Sequence, residues 1–298
     1  MESGVRGKGD LIFQIIGHIL LMVMSLLAIL PFLLLIISSF TEEQSLLKYG
    51  YSFFPKEFSA YAYEYLFGAN AANIFNAYKI TILVTVLGTM ISLFIGAMGG
   101  YVLSRRDYPR RKAMSFYVFF TMLFNGGLVP SYMMWTQVFH VKNSFFALLL
   151  PTLLLNGFNM MLLRGNFQSN IHPALIEAAK IDGAGEFFIF RKIVLPLSLP
   201  IMAAIGLMTG IGYWNDWTNG LYYISESRLF SLQQLLNNIL NNVKALSSLS
   251  TAVSVANDMP STSIRMAMAV VGVLPILVLY PFFQKYFVKG ISLGGVKE

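Results

Sequence analysis

Three observations predict an all-α integral membrane protein with six transmembrane helices. Of its 298 residues 56% are hydrophobic and only 12% charged, whereas soluble domains carry about 25% charged residues. The stretches 13–39, 80–103, 114–138, 145–165, 195–218 and 264–287 each supply the roughly 20 mainly apolar residues that cross a bilayer. Basic residues also cluster in alternate connections. Together these make residues 1–298 one transmembrane domain.

Arg6 and Lys8 precede the first apolar run, which extends from Leu11 to Phe40. That run far exceeds the roughly 7–15 apolar residues of a secretory signal, and no A-x-A site follows it, so it reads as a retained span. Residues 41–79 include the aromatic "YSFFPKEFSAYAYEYLF" and read as an outward segment with a short interfacial helix. Gly96 and Gly100 in the second span form a GxxxG, a helix-packing feature.

The third span carries "FNGGLVP", where Asn125, Gly126, Gly127 and Pro130 predict a kink. An Asn amide in lipid is costly unless paired. It either faces an aqueous path or bonds a neighbouring helix. Asn156 and Asn159 in the fourth span pose the same choice. Pro31, Pro130, Pro151 and Pro275 also fall inside spans, where neighbouring helices can satisfy the freed carbonyls.

The fifth span runs into "GYWNDWTNGLYY" (212–223). At 1.5 Å per residue from Leu195, Trp214–Trp217 lie roughly 30 Å along the helix, at the outer interface. Aromatic belts sit there in any case, which accounts for Trp217 and Tyr222. Asn215 and Asp216 beside these rings, together with Trp214, are candidates for a gate or for contact with a hydroxyl-rich solute. The external segment 219–263 follows. Within it, "SLQQLLNNILNNV" (231–243) spaces its apolar residues by three and four, predicting an amphipathic helix. Its uncharged polar face points to packing on the spans or at the interface. A stretch rich in small residues, 245–263, leads to the last span and a tail, 288–298.

Orientation follows from the basic residues. Arg6 and Lys8, Arg105 to Lys112, Lys180 with Arg191 and Lys192, and Lys285, Lys289 and Lys297 fall on one side of an alternating six-span chain. The other side carries fewer over longer loops. The positive-inside rule then places both termini in the cytoplasm. The net charge of +7 is thereby accounted for without a nucleic-acid partner.

Several chemistries are excluded. The chain has no Cys, and its three His are scattered, so thiolate chemistry and His-pair metal spacing are absent. No carboxylate cluster supports a membrane-embedded enzyme. No G-x-x-x-x-G-K-[ST] exists to cradle ATP phosphates. An ion-coupled secondary transporter would need mid-span acids and paired interrupted repeats; mid-span acids are lacking, and Asp216 sits near the edge.

The cytoplasmic connection 170–196 contains "EAAKIDGAGEFFIFRKIVLP", unusually polar between two apolar runs. Pro173 suits the first position of a helix. Leu175, Ala178, Ala179 and Asp182 share one helical face, and Gly183 can end it with positive φ. Two alanines permit close approach by another protein, with Glu177 and Lys180 setting polar contacts at the rim. Glu177-Ala178-Ala179, then Gly183, then Ile193-x-Leu195-Pro196 resembles the EAA loop of ATP-binding-cassette importer permeases.

That resemblance implies a type I importer permease fold. Its coupling helix docks in a cleft of a cytoplasmic ATPase subunit, and Glu177, Ala178, Ala179, Asp182, Gly183 and Ala184 are its matching residues. "FNGGLVPSYMMW" (124–135), "GYWNDWTNGLYY" and "FFQKYFVKGISLGGVKE" (282–298) resemble the carbohydrate-uptake, maltose-permease-like branch. Within it they look closest to permeases for oligosaccharides from polysaccharides. The likeness covers most of residues 50–298.

It further implies a bacterial cytoplasmic-membrane location, a second permease subunit in a heterodimer, two ATPase subunits, an extracytoplasmic solute-binding protein and a sugar substrate. No cofactor is expected on this chain, since ATP and Mg belong to the ATPase subunits. By the same resemblance, the tail (Gly290, Gly294, Gly295, Lys297) contacts the ATPase and the loop 244–262 probes the binding protein. An importer permease for another solute, such as amino acids or peptides, is the alternative, followed by an ion-coupled transporter.

The topology is directly testable because the chain lacks native Cys. A single cysteine replacing Lys297 is expected to resist an impermeant thiol reagent added to intact cells and to react after permeabilisation. Labelling from outside would refute cytoplasmic termini.

Overall fold

The computed structural model describes residues 8–68, 71–151, 153–250 and 261–294, and among these every regular element is helical. The first helices are α1 (Lys8–Ser39), α2 (Glu43–Tyr49), α3 (Tyr61–Phe67), α4 (Ala71–Ser104) and α5 (Arg111–Leu123). The middle of the chain forms α6 (Leu128–Met133), α7 (Phe145–Leu149), α8 (Gly157–Asn170), α9 (Pro173–Ile181) and α10 (Glu186–Ile189). The last are α11 (Leu195–Leu197), α12 (Leu199–Trp214), α13 (Thr218–Tyr223), α14 (Leu232–Ser250) and α15 (Ser261–Gly294). Wider π turns continue α6 over Met134–Val138 and join α10 to α11 over Phe190–Val194.

Among the described residues, Leu11–Ser39 and Ala71–Ser104 are each long and apolar enough to cross a membrane, and two bent helix pairs raise the number to four if each is one span. Thr262–Val278 is a shorter apolar helix.

The expected span 114–138 is broken rather than kinked: Arg111–Leu123 and Leu128–Val138 meet at 113°. The cause is local. Gly127 takes φ +85°, which side chains with a Cβ rarely adopt. Asn125 Oδ1 accepts the Gly127 N–H at 2.8 Å, closing an Asx turn.

The stretch 145–165 is likewise divided. α7 stops before Pro151, and α8 begins after Asn156, whose side chain accepts the Asn159 N–H at 3.1 Å as an N-cap. Glu186–Leu197 and Leu199–Trp214 are bent by 83°. The break falls at Ser198 (φ −107°, ψ 11°), and Pro200 lacks the N–H that would bond back to the preceding turn.

The chain divides into two units. In Met1–Ala71 with Leu240–Leu274, Phe40 stacks on Tyr63 at 4.6 Å between centroids, and the Tyr63 hydroxyl shares a 2.8 Å hydrogen bond with Ser39. The Glu43 carboxylate accepts the Thr262 and Ser263 N–H groups at 2.8 and 2.7 Å, satisfying donors in the first turn of α15. α14 runs on through 245–250, into the stretch rich in small residues; 251–260 lie outside the described residues.

The second unit, Ala72–Ile239 with Pro275–Glu298, is organised along α4. Ile74, Ala77, Thr81, Val84, Gly88, Ser92, Gly96, Gly100 and Leu103 are buried at steps of three and four. Most are small, so neighbouring helices approach closely. Near one end Val84 packs with Ala147, Leu148, Leu149, Tyr213 and Tyr223. Near the other, Ala97 and Tyr101 pack with Leu163, Phe167, Ile189, Phe190 and Val194. This second cluster supports the connection between α8 and α12.

At Gly100 a Cβ would lie 3.0 Å from Leu163 Cβ, 3.1 Å from the Arg164 N and 3.2 Å from the Met160 O. Two of these are backbone atoms and cannot step aside. Gly100→Val should therefore force α4 and α8 apart, at about 1–3 kcal/mol for overpacking. A detergent melt should show a lower unfolding temperature; an unchanged one would contradict this packing.

Candidate functional site

The EAA-like stretch forms a short helix closed at both ends. Pro173 occupies its first turn, and His172 Nδ1 accepts the Ala174 N–H at 3.3 Å. At the far end Gly183 has φ +81°. The Ala184 N–H reaches the Ala179 O at 2.9 Å and the Gly183 N–H the Lys180 O at 3.0 Å. These are the paired bonds of a Schellman cap. Asp182 is the C-cap residue.

Helical phase divides the two alanines. Ala179 and Ala184 are half-buried against the core cluster with Ile176, while Ala178 and Glu177 are exposed. The outward face adds Leu175, 48% exposed, and Ile181, 86% exposed. Sequence reading did not single out Ile181, because an apolar residue at a helix end is ambiguous until its neighbours are known.

Beneath α9 lies a polar lattice. Arg105 grips Asp107 with both arms, Nε to Oδ1 at 2.9 Å and Nη2 to Oδ2 at 2.6 Å. Lys180 donates to Asp107 Oδ2 at 3.0 Å and to Glu186 Oε1 at 2.8 Å. The Tyr101 hydroxyl donates to Glu186 Oε2 at 2.6 Å, and Arg105 Nη2 lies 3.4 Å from Glu186 Oε1. Five side chains thus tie α4 and its following loop to both sides of the Gly183 turn. Lys180, expected to make rim contacts with a partner, pairs with Asp107 and Glu186 while its side chain remains 40% exposed. The signal for this lattice was faint: Tyr101 and Arg105 stand four apart at the end of α4, with Asp107 just beyond.

Electrostatics hold the lattice charged. The hydrogen bonds from Arg105, aided by Lys180, keep Asp107 well below the usual carboxylate range. Burial would raise Glu186, but hydrogen bonds from Lys180 and Tyr101 and the charge of Arg105 lower it on balance. Hydrogen bonds to Glu186 and Asp107 raise Lys180. A depressed carboxylate contributes stability above its ordinary pKa and loses it only as acid reaches the lower folded value. A raised lysine contributes below its ordinary pKa and loses that only as alkali reaches the higher folded value. The lattice is therefore whole from about pH 5 to about pH 9.

The other candidates are dispersed. Asn125 and Asn156 cap backbone breaks. Asn159 Nδ2 donates to Thr209 Oγ1 at 3.3 Å, linking α8 to α12. Trp214 is buried, with its ring 6.4 Å from that of Tyr78, and Asn215 is the exposed C-cap of α12. Asp216 Oδ1 accepts the Thr218 and Asn219 N–H groups at 3.1 and 3.2 Å, starting α13. Tyr213 and Asn219 then bind the carbonyls of Leu149 and Pro151 at 2.9 and 3.1 Å. Gly290 and Gly294 fall in the last turns of α15, while Gly295 and Lys297 lie outside the described residues.

The chain is 37% identical over 286 residues to the polygalacturonan/rhamnogalacturonan transport system permease protein YtcP of Bacillus subtilis, covering 96% of this chain and 98% of that protein. It is 35% identical over 292 residues to protein LplC of the same organism, covering 97% and 96%. Its fold matches a solved bacterial ABC transporter involved in the import of the acidic polysaccharide alginate. The TM-score is 0.76 at 26% identity, covering 96% of this chain and all of that one. The family model for the binding-protein-dependent transport system inner membrane component matches residues 8–293. A capped helix on a charged lattice, within an all-helical fold matched along almost its whole length, thus places the chain in the family of binding-protein-dependent transport system inner membrane components: it is a permease subunit of an ABC importer, and ATP hydrolysis belongs to a separate subunit.

Proposed function

We propose that this chain is one half of a heterodimeric permease that imports an oligosaccharide derived from a polysaccharide across a bacterial cytoplasmic membrane. It crosses six times with both termini inside, and α9 is the helix that enters a cleft of the ATPase subunit. A solute-binding protein delivers the sugar outside, and closure of the ATPase dimer drives alternating access. The names carried by YtcP and the alginate importer support the substrate class.

One observation carries the coupling role. Leu175, Ala178 and Ile181 face away from the bundle on a helix whose two ends are capped and whose base is braced by Asp107 and Glu186. An apolar knob that projects from a polar, cytoplasmic loop needs a partner surface. A knob on a rigid base can pass on displacement. Through Ala179, Ala184 and the Ile189–Phe190–Val194 cluster, movement of α9 would reach α4, α8 and α12.

The reading is tested by purifying the assembled importer, identifying the ligand of its binding protein and measuring coupled uptake. Release of a peptide or amino acid in place of a sugar would overturn the substrate class. Within that assay, Gly183 is diagnostic because a Cβ there meets nothing within 4 Å. Its replacement costs only backbone strain, about 1–2 kcal/mol for a residue forced into left-handed geometry. Gly183→Val should abolish most binding-protein-stimulated hydrolysis, while Gly183→Asn, which tolerates that geometry, should retain it. Equal activity in the two variants would show that the turn is not needed for coupling.

The lattice gives a second test. Asp107→Asn removes the shared acceptor of Arg105 and Lys180, so backbone amides over 173–189 should exchange about fivefold faster, the equivalent of about 1 kcal/mol of lost local stability. Stimulated hydrolysis should fall with the complex still assembled. Unchanged exchange would mean that Asp107 does not brace the helix.

A further inference from the structure

A cleft of about 630 Å³ lies beside the lattice, within the size range of small-ligand sites. It is walled by the connection Ser104–Arg111, the end of α8 and the face of α9 that carries Pro173, Ile176, Glu177 and Lys180. Arg106, Arg111 and Arg164 line it. Among the described residues, none of the three pairs with a carboxylate. Arg164 donates its Nε to the Leu103 O at 3.2 Å, which orients the guanidinium and leaves its terminal nitrogens for a ligand. Of the lining carboxylates, Asp107 is committed to Arg105 and Lys180, and Glu177 is exposed on α9. Phe167 and Ile171, both buried, and the half-buried Ile176 supply apolar lining.

We propose that this cleft binds the headgroup of an anionic phospholipid from the cytoplasmic leaflet, its phosphate held by Arg106, Arg111 and Arg164. The site rests on the orientation proposed above. Guanidinium groups suit phosphate because their N–H donors match its oxygens in pairs. Basic pockets between helices at the cytoplasmic surface are where such headgroups lodge. The apolar lining favours a lipid over a free anion, since it can cover glycerol and the first acyl carbons. Position agrees: Arg164 ends the apolar stretch 145–165, and α8 continues into the polar sequence up to Asn170. The cleft thus straddles the level where hydrocarbon gives way to headgroups. A bound lipid would join the loop after α4 to α8 and α9, the same elements that the lattice joins.

The test uses the assembled importer in nanodiscs of phosphatidylcholine with added phosphatidylglycerol, read by native mass spectrometry of retained lipid. Wild-type protein is expected to retain phosphatidylglycerol that Arg106→Gln/Arg111→Gln loses, with about 30-fold weaker retention, since each basic residue near an anionic surface contributes about a factor of five. Arg106→Gln alone, on an exposed side chain, serves if the double variant fails to assemble, with a loss of about fivefold. Equal retention by wild type and variant would overturn the proposal. Displacement by glycerol 3-phosphate at matched concentration would overturn the lipid in favour of a free anion. Retention by the permease pair that vanishes when ATPase subunits are added would instead make the cleft a protein contact. A cysteine replacing Arg110 and labelled from outside the cell would refute the orientation itself, separately from any lipid count.

Discussion

A chain that runs through lipid must satisfy its interrupted backbone from within, because no water reaches the orphaned donors and acceptors. That constraint explains the placement of nearly every conspicuous polar residue here. Asn125 closes the break before α6, Asn156 opens α8, and Asp216 opens α13. The Thr81 hydroxyl accepts the Leu232 N–H at 2.7 Å where α14 begins. Three of the candidate pathway residues, Asn125, Asn156 and Asp216, thus each give a side-chain oxygen to the backbone. The fold can contain a sharp bend of 113° because the Asn125 cap offsets part of its cost.

The end that carries α9, cytoplasmic in the proposed orientation, obeys a different balance. There water is available, and isolated surface ion pairs contribute little, about 0–1 kcal/mol. The lattice under α9 differs from such pairs in two respects. Arg105 is only 11% exposed, and its bidentate grip on Asp107 is the stronger kind of charge-assisted contact. Lys180 and Glu186 flank the Gly183 turn and meet each other across it. The turn is thus clamped by electrostatics as well as by its own backbone bonds. Rigid placement of a short helix of Pro173–Ile181 follows from these contacts, since so few turns are marginal alone.

The sequence by itself determined the class of the protein and the bounds of the short helix α9. Composition excluded a soluble fold. Pro173 and Gly183 announced the ends of α9, because their backbone preferences act locally and need no distant partner. Local rules also located the trouble spots at Asn125–Gly127 and Pro151.

Tertiary structure alone decided how those spots resolve and what supports the site. Apolar length cannot distinguish a straight span from two helices meeting at 113°, because both bury the same kinds of residue. Periodicity put Ala178 and Ala179 on one face, yet only the packed cluster shows that Ala179 turns inward. Tyr101, Arg105 and Asp107 lie more than seventy residues from Lys180 and Glu186. Their partnership depends on α4 and α8 meeting at Gly100, and a contact between distant segments leaves no local pattern to read.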